Sequence, residues 1–161
     1  MQKDESLKDI ISEANIIMDE CRYSEHRHYK SARNWRGIKW SLGIPVAILS
    51  AVAGTTALAD FSHNEVVAGI IAMAVTVFTA LNSFLNASEN SESHFKSEKG
   101  FKELADNIRM FSNVEISNKT LQDRDTLRDE LDNFLEKKTE LVKNGRPIPP
   151  PKTKMVFSQS K

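Results

Sequence analysis

The chain has one cysteine, Cys21, so no intramolecular disulfide can form within it and a thiolate metal cluster is not expected. Apolar and polar residues nowhere alternate with period two, which excludes a sheet built of half-buried strands. There is no repeat at a period of 20–50 residues, no glycine-rich phosphate loop, no nucleophile elbow and no paired cysteine motif. The opening MQKDESLKDIISEAN is acidic and lacks the basic-then-apolar order of a secretory signal. Most informative is a local absence: residues 40–88 contain no lysine or arginine and two acids only, Asp60 and Glu65. The even overall balance of 22 basic and 22 acidic residues therefore conceals a partition. Both ends are densely charged and the middle is a different medium.

That middle holds two uncharged runs, Trp40 to Ala59 and Val66 to Ser88. At 1.5 Å per helical residue they reach roughly 30 and 34 Å, each enough for a hydrocarbon core. Six residues, DFSHNE, separate them, so they must form an antiparallel hairpin. As central helices of a soluble bundle they lack the charged outer face that such helices carry. Arg22, Arg27, Lys30, Arg33, Arg36 and Lys39 precede the first run, Lys96, Lys99 and Lys102 follow the second, and the connecting loop has no base. This asymmetry predicts a multi-pass protein with both termini cytoplasmic, with Trp35 and Trp40 at the interface.

The flanks read as helix. Leu7, Ile10, Ile11, Ala14, Ile17, Met18 and Cys21 define one apolar face, followed by the basic, aromatic segment RYSEHRHYKSARNWRGIKW. After the second run, Phe95, Leu104, Ile108 and Phe111 keep helical spacing; SNVEISN predicts a break and Thr120 with Asp123 a new helix start. Leu127, Leu131, Phe134, Lys138 and Leu141 then form a 4-3-4-3 seam, which Asn144-Gly145 ends. The expectation is an all-α membrane protein: a cytoplasmic amphipathic and basic helix over 1–39, a two-transmembrane hairpin over 40–88, cytoplasmic helices over 89–143 and a disordered proline-rich tail over 144–161.

Candidate functional positions follow from these elements. Gly43, Ala47 and Ala51 on the first run, and Ala68 and Ala72 on the second, are small residues at four-residue spacing that allow close helix packing in lipid and favour a homo-oligomer. Thr76, Thr79, Ser83, Asn86 and Asn90 form a polar stripe, which either lines a pore or hydrogen-bonds neighbouring helices. Asp60 and Glu65 would ring its outer mouth. Pro45 is a static bend or a gating hinge. Arg22, Lys30, Arg33 and Arg36 fall within a sector of about 120° on a helical projection. With Tyr29 they would form a basic collar in an oligomer, suited to phosphates and stacked bases or to anionic lipid. No enzyme chemistry is expected: His26 and His28 point about 200° apart on a helix, and Asp123, Asp125, Asp129 and Asp132 interleave with arginines as a solvated face. No metal or cofactor is expected.

EHRHYKSARNWRGIKW running into SLGIPVAILSAVAG, then a tight hairpin and SESHFKSEKGFKELADNIRMF, resembles the SLATT family, the SMODS and SLOG-associating two-transmembrane effector proteins of bacterial nucleotide-signalling and antiphage operons. The likeness covers roughly residues 15–140 and rests on helix order and hydrophobic pattern. It implies a pore-forming effector that disrupts the bacterial inner membrane when infection alters a nucleotide signal. The leading expectation is a homo-oligomer, a tetramer favoured, gated by a nucleotide or oligonucleotide made by a partner nucleotidyltransferase. The residues also admit a non-conducting scaffold that recruits a cytosolic partner through its C-terminal helix and PIPPP tail, or a holin-like pore that needs no ligand.

Overall fold

The computed structural model describes residues 2–58, 63–115 and 124–148. These form four helices: α1 Gln2–Leu58, α2 Asn64–Leu85, α3 Ala87–Met110 and α4 Arg124–Asn144, with a short π turn at Phe111–Glu115 after α3. No strand occurs among the described residues. The π turn overlaps the start of the expected SNVEISN break, whereas Thr120 and Asp123 lie outside the described residues.

The amphipathic N-terminal segment and the first apolar run, expected as separate units, are one helix of 57 residues, about 85 Å long. Nothing between them stops a helix: the lone Gly37 costs about 1 kcal/mol and leaves every backbone bond intact. Pro45 lies inside the same helix, half-buried. A proline there removes one backbone donor and leaves the carbonyl four residues back to other partners.

The second run is interrupted earlier than its hydropathy implies. α2 ends at Leu85, and Asn86 takes a left-handed conformation with φ 47° before α3 begins at Ala87. Asparagine tolerates that region better than most residues, and the carbonyl of Leu85 is met by Asn90 Nδ2 at 2.9 Å. The break therefore leaves no orphaned carbonyl at that position.

α1 and α2 pack antiparallel along one narrow seam. Half-buried positions recur at Leu42, Leu49, Ala53 and Thr56 on α1, and at Ala68, Ile71, Val75, Phe78, Asn82 and Leu85 on α2. Everything outside the seam is open: Ile48 is 59% exposed, Met73 68% and Phe84 88%. Both helices are long and apolar enough to cross a membrane, and none of the residues in their most apolar windows is buried. A core helix of a soluble bundle would bury that surface.

The core lies in the charged half of the chain. Ile10, Ala14, Ile17 and Cys21 of α1 meet Phe101, Leu104, Ala105 and Ile108 of α3, with Phe111 just beyond it. α4 closes a three-helix bundle with Leu127, Leu131 and Phe134. Its direction is clear from three contacts. Phe134 meets Phe111 edge-on beyond the end of α3, Leu141 lies over Gly100 at its middle, and Arg146 bonds Asn90 near its start. α4 thus runs antiparallel to α3 and returns the chain to the base of the hairpin. Lys138, the polar member of the seam, pairs with Glu20 of α1.

Truncating Leu131, a core residue 2% exposed, removes buried apolar packing. Leu131→Ala is expected to cost about 2–4 kcal/mol. Thermal unfolding of the detergent-solubilised chain, followed by circular dichroism, checks it.

Candidate functional site

The small and polar faces of the hairpin point away from its own seam. Gly43, Ala47 and Ala51 are exposed on α1, as are Ala72, Thr76, Thr79 and Ser83 on α2; Ala68 alone of the small residues expected to pack is half-buried in the seam. A methyl group added at Gly43, Gly54 or Gly69 would touch nothing within 4 Å. Two hydroxyls of the hairpin are satisfied within their own helices: Thr76 Oγ1 donates to the Ala72 carbonyl at 2.9 Å and Thr56 Oγ1 to that of Val52 at 2.7 Å. Back-bonding of this kind lets a hydroxyl sit on an apolar surface without an unpaired donor.

The stripe does not continue as one helical face beyond Ser83. The left-handed turn at Asn86 redirects the chain, and Asn86 Nδ2 donates to Glu89. Asn90, part-buried in the first turn of α3, accepts from Arg146 and donates to Leu85. The 3-4-3-4 spacing read from sequence assumed a continuous helix, and the turn cancels that register. Glu65 is exposed in the first turn of α2; Asp60 lies outside the described residues.

The five collar residues divide into separate environments. Arg22 Nη1 donates to Glu25 at 3.0 Å and Nη2 to Asp106 at 2.7 Å, in a cleft that Glu98 also lines. Lys30 and Arg33 are exposed on the outer side of α1. Tyr29 meets the edge of Phe95 at 6.4 Å, and the Arg36 guanidinium lies 4.6 Å from the centre of the same ring. Arg36 shares its cavity with Lys39 and Lys99. Arg22 is thus neutralised by acids, while Arg36 sits among bases.

Between these surfaces the fold creates a junction that sequence reading missed. His28 of α1 and His94 of α3, 66 residues apart, are both buried, with their Nδ1 atoms 3.1 Å apart. One neutral ring must donate and the other accept. His28 also stacks on Phe101, with centroids 5.5 Å apart and an interplanar angle of 21°. The end of α4 covers the pair. A methyl added at Gly145 would lie 2.9 Å from the Leu141 carbonyl oxygen and 3.7 Å from His28 Cε1, so a side chain is poorly accommodated. Arg146 then donates to Asn90 and to Glu89, the latter at 2.7 Å, which fastens the first residues of the segment expected to be disordered. Nearby, Ser91 Oγ donates to the Ala32 carbonyl at 3.0 Å. The only histidine spacing conspicuous in sequence was that of His26 and His28, and His26 is exposed.

Burial pushes His28 down to about 4, helped by His94 and Arg27; burial and Arg146 also lower His94. Both rings are therefore neutral near pH 7, and the pair joins α1 to α3 beneath the end of α4. Cys21, buried in the bundle core, is pushed up to about 11, chiefly by desolvation, so its thiol is protonated at neutral pH. No group of three or more histidine, cysteine or acidic side chains is placed to hold a metal among the described residues.

Because the folded bundle binds these protons more weakly than the unfolded chain, the pair's contribution to stability is complete above the ordinary histidine value of 6.5. It is lost as pH falls toward about 4, by on the order of 3 kcal/mol for His28. The melting temperature of the wild-type chain should drop across that window. In the His28→Gln/His94→Gln double variant the drop should be smaller, as thermal melts between pH 8 and pH 4 will measure.

No protein-family model matches the chain, and comparison with curated proteins and with solved structures yields no match either.

Proposed function

We propose that the chain is the subunit of a homo-oligomeric, pore-forming channel of the bacterial inner membrane, an antiphage effector that disrupts that membrane when a nucleotide signal changes on infection. The observation that carries the reading is an apolar hairpin that covers only its own seam. Its remaining surface pairs lipid-suited residues such as Ile48, Met73 and Phe84 with a face of small residues and hydroxyls, Gly43, Ala47 and Ala51 on α1 and Thr76, Thr79 and Ser83 on α2. Small residues let helix backbones approach closely in lipid, and hydroxyls turned inward by several copies make a path for ions and water. A tetramer is the favoured assembly. The distribution of bases around the hairpin supports placing the bundle in the cytoplasm.

The similarity of residues 15–140 to the SLATT pattern supports a nucleotide or oligonucleotide, made by a partner nucleotidyltransferase, as the gating signal. Lys30 and Arg33, exposed on α1 with Tyr29 close by, are the bases open to it on the collar. The signal would act on the long helix α1, which leads without interruption from the bundle into the hairpin past Pro45. The apolar face of α4 is used within its own bundle, so a scaffold reading would have to rest on the proline-rich tail instead.

Ion flux from liposomes carrying the purified chain, with and without cyclic and linear oligonucleotides, tests the channel. Ligand-dependent flux is expected, reduced severalfold by Thr79→Leu and by Ser83→Leu with folding unchanged. Absence of flux with every oligonucleotide, together with no toxicity on overexpression, overturns the proposal.

A further inference from the structure

Where α1 meets the start of α3, at the base of the hairpin, the two helices enclose an open cavity of about 560 Å³. Three bases reach it from both helices, Arg36 and Lys39 of α1 and Lys99 of α3, against one carboxylate, Glu92. None of the three bases is held in an ion pair among the described residues. Arg36 is instead braced over the face of Phe95, 4.6 Å from its centroid, and Lys39 Nζ donates to Ser88 Oγ at 3.1 Å. The guanidinium is thus positioned without its charge being neutralised, and Ser88 adds a hydroxyl beside the ammonium. This combination of fixed cations and hydroxyls with little competing acid suits a phosphate oxygen cluster.

The level of the cavity along the molecule identifies which phosphate. Lys39 is the last base before the uncharged run, and Trp40, which also lines the cavity, is 60% exposed. One turn further along α1, Ile44 is 50% exposed, and Ile48 after it 59%. A ligand seated on the bases would therefore have water on one side and an uncovered apolar helix surface on the other. A soluble phosphate compound needs only the first; a phospholipid uses both, with its headgroup in the cavity and its chains along Ile44 and Ile48. The aromatic ring of Trp40 lies at the boundary, where an amphipathic side chain is most stable.

The geometry points to a binding site for the headgroup phosphate of an anionic phospholipid, formed by Arg36, Lys39 and Lys99 with Ser88 and Trp40. The inference rests on the membrane-spanning reading of the hairpin. It assigns a role to Lys39, Lys99 and Ser88, which lie outside the collar proposed for the nucleotide signal. Bound lipid would bridge α1 and α3 just below the hairpin.

Native mass spectrometry of the full chain in neutral detergent, titrated with phosphatidylglycerol or phosphatidylcholine, tests the site. Wild type should retain phosphatidylglycerol preferentially, and Lys39→Gln/Lys99→Gln should weaken that retention about tenfold. The charge-matched Lys96→Gln/Lys102→Gln, whose lysines lie outside the cavity, should keep it. Equal retention of the two lipids, or equal loss in the two double variants, overturns the site. Displacement of the lipid by inorganic phosphate or glycerol phosphate at comparable concentration would assign the cavity to a soluble phosphate compound and overturn the lipid assignment. A second measurement leaves the cavity unaltered: in a Trp35→Phe background, brominated phosphatidylglycerol should quench Trp40 fluorescence more than brominated phosphatidylcholine, and equal quenching counts against the site. Carbonate extraction separates the two levels of inference. A chain released from membranes by carbonate defeats the spanning reading and this site with it, whereas a chain that stays embedded without lipid preference defeats this site alone.

Discussion

Helix α1 carries two incompatible surfaces on one hydrogen-bonded rod, and the other elements are arranged around that conflict. Its first half presents a stripe of apolar residues between charged flanks and needs partners to bury the stripe in water. From Trp40 onward it is apolar all round and packs against α2 along a single seam. Because a helix satisfies its own backbone hydrogen bonds along its length, it can pass from one medium to the other without exposing an unpaired amide. A loop at the same level would need water or protein to satisfy it. The continuity of α1 through Gly37 and Pro45 is therefore what allows a charged bundle and an apolar hairpin to belong to one short chain.

The return path solves the same problem differently. Between α2 and α3 the chain turns at Asn86, and the carbonyl freed by the turn is recovered by the side chain of Asn90. Arg146, arriving from the end of α4, ties Asn90 and Glu89 together. The base of the hairpin thus gathers polar groups from α1, α3 and the residues after α4, with the neutral His28–His94 pair at their centre. That junction is sensitive to charge because its rings are buried: two protonated imidazoles would present donors to each other with no acceptor between them. A movement of the end of α4 relative to α3 would break the bonds from Arg146 to Asn90 and Glu89.

Which positions were legible from sequence follows from how far apart their partners lie. The stripe from Ile10 to Cys21 and the seam of Leu127, Leu131 and Phe134 are periodic features of contiguous residues and reappear in the structure. Both apolar runs do too, though the helix of the second ends at Leu85. The polar stripe read as far as Asn90 was legible only to Ser83, because a single left-handed residue is enough to cancel a helical register and Asn86 gave no stronger signal than any other asparagine. The collar was legible as an excess of bases but not as a site. Whether a base is free depends on what faces it, and Arg22 faces Asp106, 84 residues away.

By itself, the amino-acid sequence determined the helical class, the partition of charge and the two lengths sufficient to cross a hydrocarbon core, since these follow from local periodicity and composition. Tertiary structure alone decided that α1 and α3 bring His28 to His94, that the same pairing sets Lys99 beside Arg36 and Lys39, and that Arg146 returns to Asn90. The physical reason is register. A shift of one helical turn, about 5.4 Å, between α1 and α3 would leave the hydrophobic pattern of each helix unchanged while separating these polar groups. The shared core of Phe101, Leu104 and Ile108 with Ile17 and Cys21, together with the Arg22–Asp106 and Ser91–Ala32 bonds, holds the alignment in which they meet.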